Sequence, residues 1–250
     1  MTVPVLLTKV TLPHRRRDLL TRQRLVEIVE ESLDRKLTFV VAPAGFGKTS
    51  LLIDVAHRHE FPFCWYSQEQ TDNDLSGFLA HFIACIEQRF TRFGEQSRAA
   101  LFSQGYCDLP PQHCVRVIVN ELYNTITEHF VIVLDDFHLV SDHPEINEFI
   151  NGFVQDVDQN CHVVILSRIL LTFPDLPLMV ARTQTGGLGL KELAFRPDEI
   201  KTLMLQNYRQ SISDEAAREL AQKTDGWITG LLLSAQTMWR GMLQHLEGTS

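Results

Sequence analysis

The chain has 250 residues, 44% of them hydrophobic, and its 23 basic and 31 acidic side chains give a formal net charge of −8. That length holds one large domain, or one domain and a smaller one, and the hydrophobic share builds a sizeable core, which excludes global disorder. The acidic balance argues against nonspecific nucleic-acid binding by the chain as a whole, and no apolar run approaches the ~20 residues a membrane-spanning helix needs.

Five cysteines occur, an odd number with no Cys-x-x-Cys pair. Cys64 and Cys161 sit in apolar, strand-like runs and read as buried thiols. Cys107, His113 and Cys114 lie close in sequence, but their spacing fits no common zinc site. No secretory signal pattern is present. The expectation is a reduced, cytoplasmic protein.

Near the N-terminus, His14-Arg15-Arg16-Arg17 is a basic cluster that either touches phosphates or a partner or forms a solvated face. Thr21 to Leu33 has a helical apolar face, with Thr21 as the expected N-cap. Leu37-Thr38-Phe39-Val40-Val41 is an apolar strand-like run. Ala42-Pro43-Ala44-Gly45-Phe46-Gly47-Lys48-Thr49 follows, and a helical pattern opens at Ser50 and extends to about His59. Strand, glycine-rich loop and helix in that order make a phosphate-binding P-loop. Backbone N–H groups from Gly45 to Thr49 would wrap the phosphates, Lys48 would reach the β- and γ-phosphates, and the Thr49 hydroxyl would hold Mg2+. Ala42 stands where the first glycine usually stands, so the turn there must tolerate a Cβ.

Phe61 to Ser67 reads as a second strand, and the polar stretch Gln68 to Asp74 leaves it. Leu75 to Phe90 is helical in pattern, with Phe78, Leu79, Phe82, Ile83 and Ile86 on one side. Arg92 to Pro111 carries no clear period and is expected to be a surface excursion. A helix over Gln112 to Thr127 precedes Phe130-Val131-Ile132-Val133-Leu134-Asp135-Asp136, an apolar run ending in two carboxylates. A run apolar on both faces suits a central parallel strand, whose carboxyl end faces the ligand crevice of an open α/β sheet. This is a Walker B pattern. Asp135 would join the Mg2+ shell, and Asp136 would accept a proton from, or orient, an attacking water. His138 just beyond it either reads the nucleotide state, orders Asp136, or is structural.

Glu145 to Val157 is expected to be helical, and His162 to Arg168 is a further buried strand with polar residues at its end. Arg168 there can distinguish ATP from ADP through the extra anionic oxygens, or it pairs with a surface carboxylate. Gly186, Gly187 and Gly189 suggest a hinge or a plain loop between Arg182 and Lys191. Pro197 to Tyr208, Ser213 to Thr224 and Trp227 to Leu246 then look like three helices, with Pro197 suited to a first turn. Strands alternating with helices predict an α/β fold. It is a P-loop NTPase with a mainly parallel sheet and helices on both faces, over residues 1–188, followed by a small all-α domain over 189–250.

These motifs together resemble one family. Leu6 to Val10 with Pro13, Arg22-Gln23-Arg24-Leu25, the Pro43-to-Thr49 loop, Trp65-Tyr66-Ser67 with Asp72-Asn73-Asp74, Asp135-Asp136-Phe137-His138-Leu139, Leu166-Ser167-Arg168, and Gly226-Trp227 with Gly230-Leu231 are similar to the ATP-dependent LuxR-type transcription regulators. These belong to the signal-transduction ATPases with numerous domains (STAND), whose P-loop often lacks the first glycine. Gln68 and Phe137 depart from the usual residues at their positions.

The resemblance implies a cytoplasmic switch: ADP holds a closed monomer, inducer promotes ATP exchange and self-association, and slow Mg2+-dependent hydrolysis resets it. It places adenine between the N-terminal segment near Arg22 and the helical domain. The expected nucleotide contacts are therefore Arg22, Ala44, Gly45, Phe46, Gly47, Lys48, Thr49 and Ser50. Thr49 and Asp135 would serve the metal, and Asp136, Lys48 and Arg168 the chemistry. The family's winged-helix, helical-repeat and C-terminal DNA-binding domains have no counterpart in the chain. An excised N-terminal module or a truncated protein is expected, with its missing domains as partners, no direct DNA binding and no membrane. Two other readings stay open: a non-hydrolysing, nucleotide-dependent scaffold, and a P-loop kinase, for which no arginine-bearing lid is evident.

Overall fold

A computed structural model describes residues 3–232. The apolar runs of the sequence become five strands: β1 (Leu37–Val41), β2 (Phe63–Ser67), β3 (Phe130–Asp135), β4 (Cys161–Ser167) and β5 (Thr185–Leu188). They form one sheet in the order β2-β3-β4-β1-β5, with every pairing parallel. Alternate residues of β1 to β4 enter different cores, as the strand period of two requires. Phe39, Tyr66, Ile132, Leu134, Val163 and Ile165 face one core. Val40, Trp65, Val131, Val133, Val164 and Leu166 face the other.

Helices α1 (Gln23–Ser32) and α2 (Lys48–Ala56) cover the second of these faces. Helices α3 (Leu75–Glu87), α4 (Glu95–Leu101), α5 (Pro111–Thr125) and α6 (Pro144–Asp156) build the first. There Phe82 meets Phe149 and Phe153 edge-on, at centroid distances of 5.3 and 5.0 Å. Two short helices, α7 (Leu176–Ala181) and α8 (Leu190–Leu193), flank β5. Helices α9 (Pro197–Tyr208) and α10 (Asp214–Thr224) then pack on each other. Pro197 opens α9 and the Ser213 hydroxyl caps α10, accepting from the Ala216 N–H. Phe195, Ile200, Leu203, Met204 and Leu231 form a third, smaller core, against which Leu20 packs.

Four sequence expectations change. Thr21 does not cap α1; Arg22 holds that position, and the Thr21 hydroxyl accepts from Arg15 and Arg58 instead. Helix α2 ends at Ala56, three residues before His59. The stretch Arg92 to Pro111 contains α4, with Phe93, Ser97 and Leu101 buried. The glycines at 186 and 187 form neither hinge nor loop, because they lie in β5, hydrogen-bonded alongside β1. The helix expected over Trp227–Leu246 is described only across 228–232, and its remainder falls outside the described residues. No helix among the described residues is long and apolar enough to cross a membrane.

Candidate nucleotide-binding site

The site forms where the carboxyl ends of β1, β3 and β4 lie side by side, since Val41 registers with Ser167 and β3 pairs with β4. The loop after β1 turns on two glycines in the left-handed region, Gly45 at φ 83° and Gly47 at φ 81°. Ala42 has no positive φ, is buried, and donates its N–H to the Ser167 carbonyl, so the departure from glycine leaves the turn intact. Phe46 sends its ring into the α1–α2 core, which leaves only its backbone for a ligand. Gly47 caps α2, directing the helix N-terminus into the loop.

Lys48 is 6% exposed, and its Nζ donates to the carbonyls of Ala42 (2.8 Å) and Pro43 (3.2 Å). Burial pulls its pKa down, and nearby Asp136 opposes that shift. The Thr49 hydroxyl donates to Asp135 Oδ1 at 3.0 Å. Asp135 is 4% exposed, and burial, helped by the neighbouring Asp136 charge, pushes its carboxyl up to about 6. A hydroxyl and a carboxylate brought together this way suit Mg2+, a hard cation that keeps several waters when bound.

Asp136 adopts a left-handed backbone, φ 57°, which an aspartate tolerates and which turns its side chain away from the strand line. Arg168 Nε lies 3.9 Å and His138 Nδ1 3.7 Å from Asp136 Oδ1. Three groups singled out in the sequence therefore meet at one carboxylate. The His138 pKa is lowered, first by burial, with Asp136 pulling the other way.

Beside the loop opens a cavity of about 550 Å3. Gly45, Gly47, Ser50 and Leu51 wall it on one side, and Phe195, Leu203, Tyr208, Ile228 and Thr229 on another. Residues 14–22 supply a third wall, including Leu19, Leu20 and Arg22. Arg22 is turned toward the helical tail: its guanidinium donates to the carbonyls of Leu193 and Ala194 and to Glu199, and stacks 4.0 Å over the Phe195 ring. Burial lowers its pKa, with Glu199 opposing.

Two features of this site escaped the sequence. The tail sits directly on the loop: Trp227 Nε1 donates to the Ala44 carbonyl at 2.9 Å, and a Cβ added at Gly45 would meet Trp227 Nε1 and Thr229 Oγ1 at 2.4 Å. Asp54 of α2 is buried in the cavity wall, held by Arg15 Nε at 2.7 Å. A charge inside the otherwise apolar run Leu51-Leu52-Ile53-Asp54-Val55-Ala56 was the available signal for it.

No protein-family model matches the chain. The HTH-type transcriptional regulator MalT of Yersinia pestis (strain Pestoides F) is 26% identical over 231 residues, which take in 91% of this chain and 25% of the relative. MalT of Serratia proteamaculans (strain 568) is 27% identical over 241 residues, with the same two coverages. The chain is similar to MalT. The chain spans about a quarter of the length of the MalT relatives it matches. The Walker-type ATPase PABY2304 of Pyrococcus abyssi superposes with a TM-score of 0.54 at 13% identity, covering 95% of this chain and 79% of that one. At that identity the likeness bears on the fold, which is that of a P-loop NTPase.

Proposed function

We propose that the chain is an ATP- or ADP-binding switch module of a signal-responsive transcription regulator, with slow Mg2+-dependent ATPase activity. The cavity carries this reading: its walls come from the phosphate loop and from the helical tail, so one nucleotide would touch both. The similarity to MalT supports the regulatory context. We place the division between nucleotide-binding and helical parts after residue 188, where β5 ends.

In this reading the apolar walls at Leu19, Leu51, Phe195 and Leu203 hold the base. Backbone N–H groups from Ala44 to Ser50 hold the phosphates, and Lys48 leaves the Ala42 and Pro43 carbonyls for them. Thr49 and Asp135 hold Mg2+, which neutralises developing phosphate charge. Asp136 orients water, and Arg168 and His138 set the position of its carboxylate. Contacts with further domains of a longer regulator and self-association of the ATP form complete the proposed switch. DNA binding is not assigned to this segment.

Denaturing the purified protein and identifying released nucleotide by mass spectrometry tests the site first. Calorimetry with ATP and ADP then tests Lys48→Ala, for which affinity should fall about 10- to 100-fold, the loss of one charge-assisted contact. Unchanged affinity would remove the site. Asp136→Asn should abolish turnover while sparing binding. Turnover unchanged in that variant would remove Asp136 from the chemistry, and binding without any turnover in the wild type would make the chain the non-hydrolysing scaffold instead.

A further inference from the structure

Away from this site, the cysteines divide into two groups. Cys64 of β2, Cys85 of α3 and Cys161 of β4 are fully buried, and burial pushes their thiols well up. Cys107 and Cys114 differ. Cys107 lies in the connection between α4 and α5, half-buried, between the exposed residues Tyr106 and Asp108. Cys114 is buried in the first turns of α5. Their sulfurs stand 3.5 Å apart.

We propose that Cys107 and Cys114 form an oxidation-sensitive dithiol, a modification site that closes to a reversible disulfide on exposure to hydroperoxide. This does not depend on the nucleotide reading. The sulfurs need to approach only to about 2.05 Å, and residues 102–110 between α4 and α5 have no regular structure to resist that shift. Gly105, at φ 88°, adds freedom in the same stretch. The other partner, Cys114, is fixed by its helix, and the Cys107 N–H donates to the Ser76 hydroxyl of α3 at 3.0 Å, which ties the connection to α3 through its backbone and leaves the Cys107 side chain unconstrained by that bond. Among the described residues no cluster of three or more His, Cys, Asp or Glu is arranged to hold a metal.

The two thiols are unequal in the way such a pair requires. A hydrogen bond from Cys114 favours the Cys107 thiolate and brings its pKa down to about 7, while Cys114 is raised. Cys107 is therefore the attacking sulfur. Its thiolate takes the terminal oxygen of the hydroperoxide; the O–O bond breaks, the sulfur is oxidised to sulfenic acid, and the alkoxide leaves as the alcohol after taking a proton. Cys114 sulfur then attacks Cys107 sulfur. The S–S bond forms, the S–O bond breaks, and hydroxide departs as water with the Cys114 proton. Two thiols and one hydroperoxide become one disulfide, one alcohol and one water. The product pins the start of α5, which leads into β3, to the segment held by α3.

Peptide mapping after treatment with hydrogen peroxide tests this on the whole chain. Both cysteines fall in one tryptic segment, 99–116, bounded by Arg98 and Arg116. That peptide should become lighter by about 2 Da, lose alkylation at both positions together, and recover both with dithiothreitol. Cys64, Cys85 and Cys161 should remain alkylatable once the protein is unfolded. Cys114→Ala should instead give a Cys107 sulfenic acid that dimedone traps. Two results would overturn the proposal: both thiols still free under peroxide that oxidises glutathione, or wild-type Cys107 converted to sulfinic acid beside a free Cys114. The wild-type map decides alone if the variant fails to fold.

Discussion

His162 shows how a single side chain can carry a pH dependence that its sequence position conceals. It stands in β4 among apolar neighbours, fully buried, and its Nδ1 bonds the Arg35 carbonyl while Nε2 has no partner. Burial holds its pKa down to about 4, below the ordinary 6.5. With the folded value depressed, the stability this residue contributes is present above pH 6.5 and is lost as pH falls toward 4. The span corresponds to about 3 kcal/mol. Urea unfolding followed from pH 7.5 to 4.5 should show that loss in the wild type and a flatter profile in His162→Leu. Parallel profiles would place the acid sensitivity elsewhere.

At the scale of elements, α4 exists because of a residue twenty positions downstream of its end. Its seven residues are too few for a helix to persist alone. The buried Glu121 carboxylate of α5 accepts from the N–H groups of Gly94, Gln96 and Ser97 at 3.0, 2.9 and 2.8 Å, and from the Ser97 hydroxyl. These are the donors a helix start leaves unpaired. Glu121→Ala should cost about 3 kcal/mol, read by urea unfolding, and speed amide exchange at Gly94, Gln96 and Ser97. Unchanged exchange there would deny Glu121 this role. Strand β5 was equally hidden. Thr185-Gly186-Gly187-Leu188 has poor strand propensity, yet a Cβ at Gly186 would meet the Ser32 Cβ at 2.9 Å and Thr38 Oγ1 at 3.0 Å. The glycine is there for close packing, which a propensity reading takes for flexibility.

Across the whole molecule, the N-terminal segment and the helical tail are joined by one buried carboxylate. Glu199 of α9 receives Arg22 at 3.0 Å and Arg24 at 2.9 Å, and all three also meet the backbone or each other around Ala194. Removing the carboxylate would leave Arg22 buried without its counter-charge. Glu199→Ala should therefore destabilise this junction by about 3–5 kcal/mol. Limited proteolysis should then cut faster between residues 189 and 197. Equal resistance in wild type and variant would show that the apolar contacts of Leu20 and Phe195 hold the tail unaided.

Local pattern alone carried much of the outcome. The apolar runs specified β1 to β4, their order with helices implied the parallel sheet, and the glycine-rich loop and paired aspartates named the residues that the strand ends bring together. Those signals are readable because strand, loop and helix preferences act over a few neighbouring residues. The tertiary structure decided what depends on partners far away in the chain. Arg22 turns to Glu199, Trp227 rests on Ala44, and β5 pairs with β1. Such meetings are set by how the layers pack and by which buried polar groups must find a partner, and neither is written in the spacing of residues along the chain.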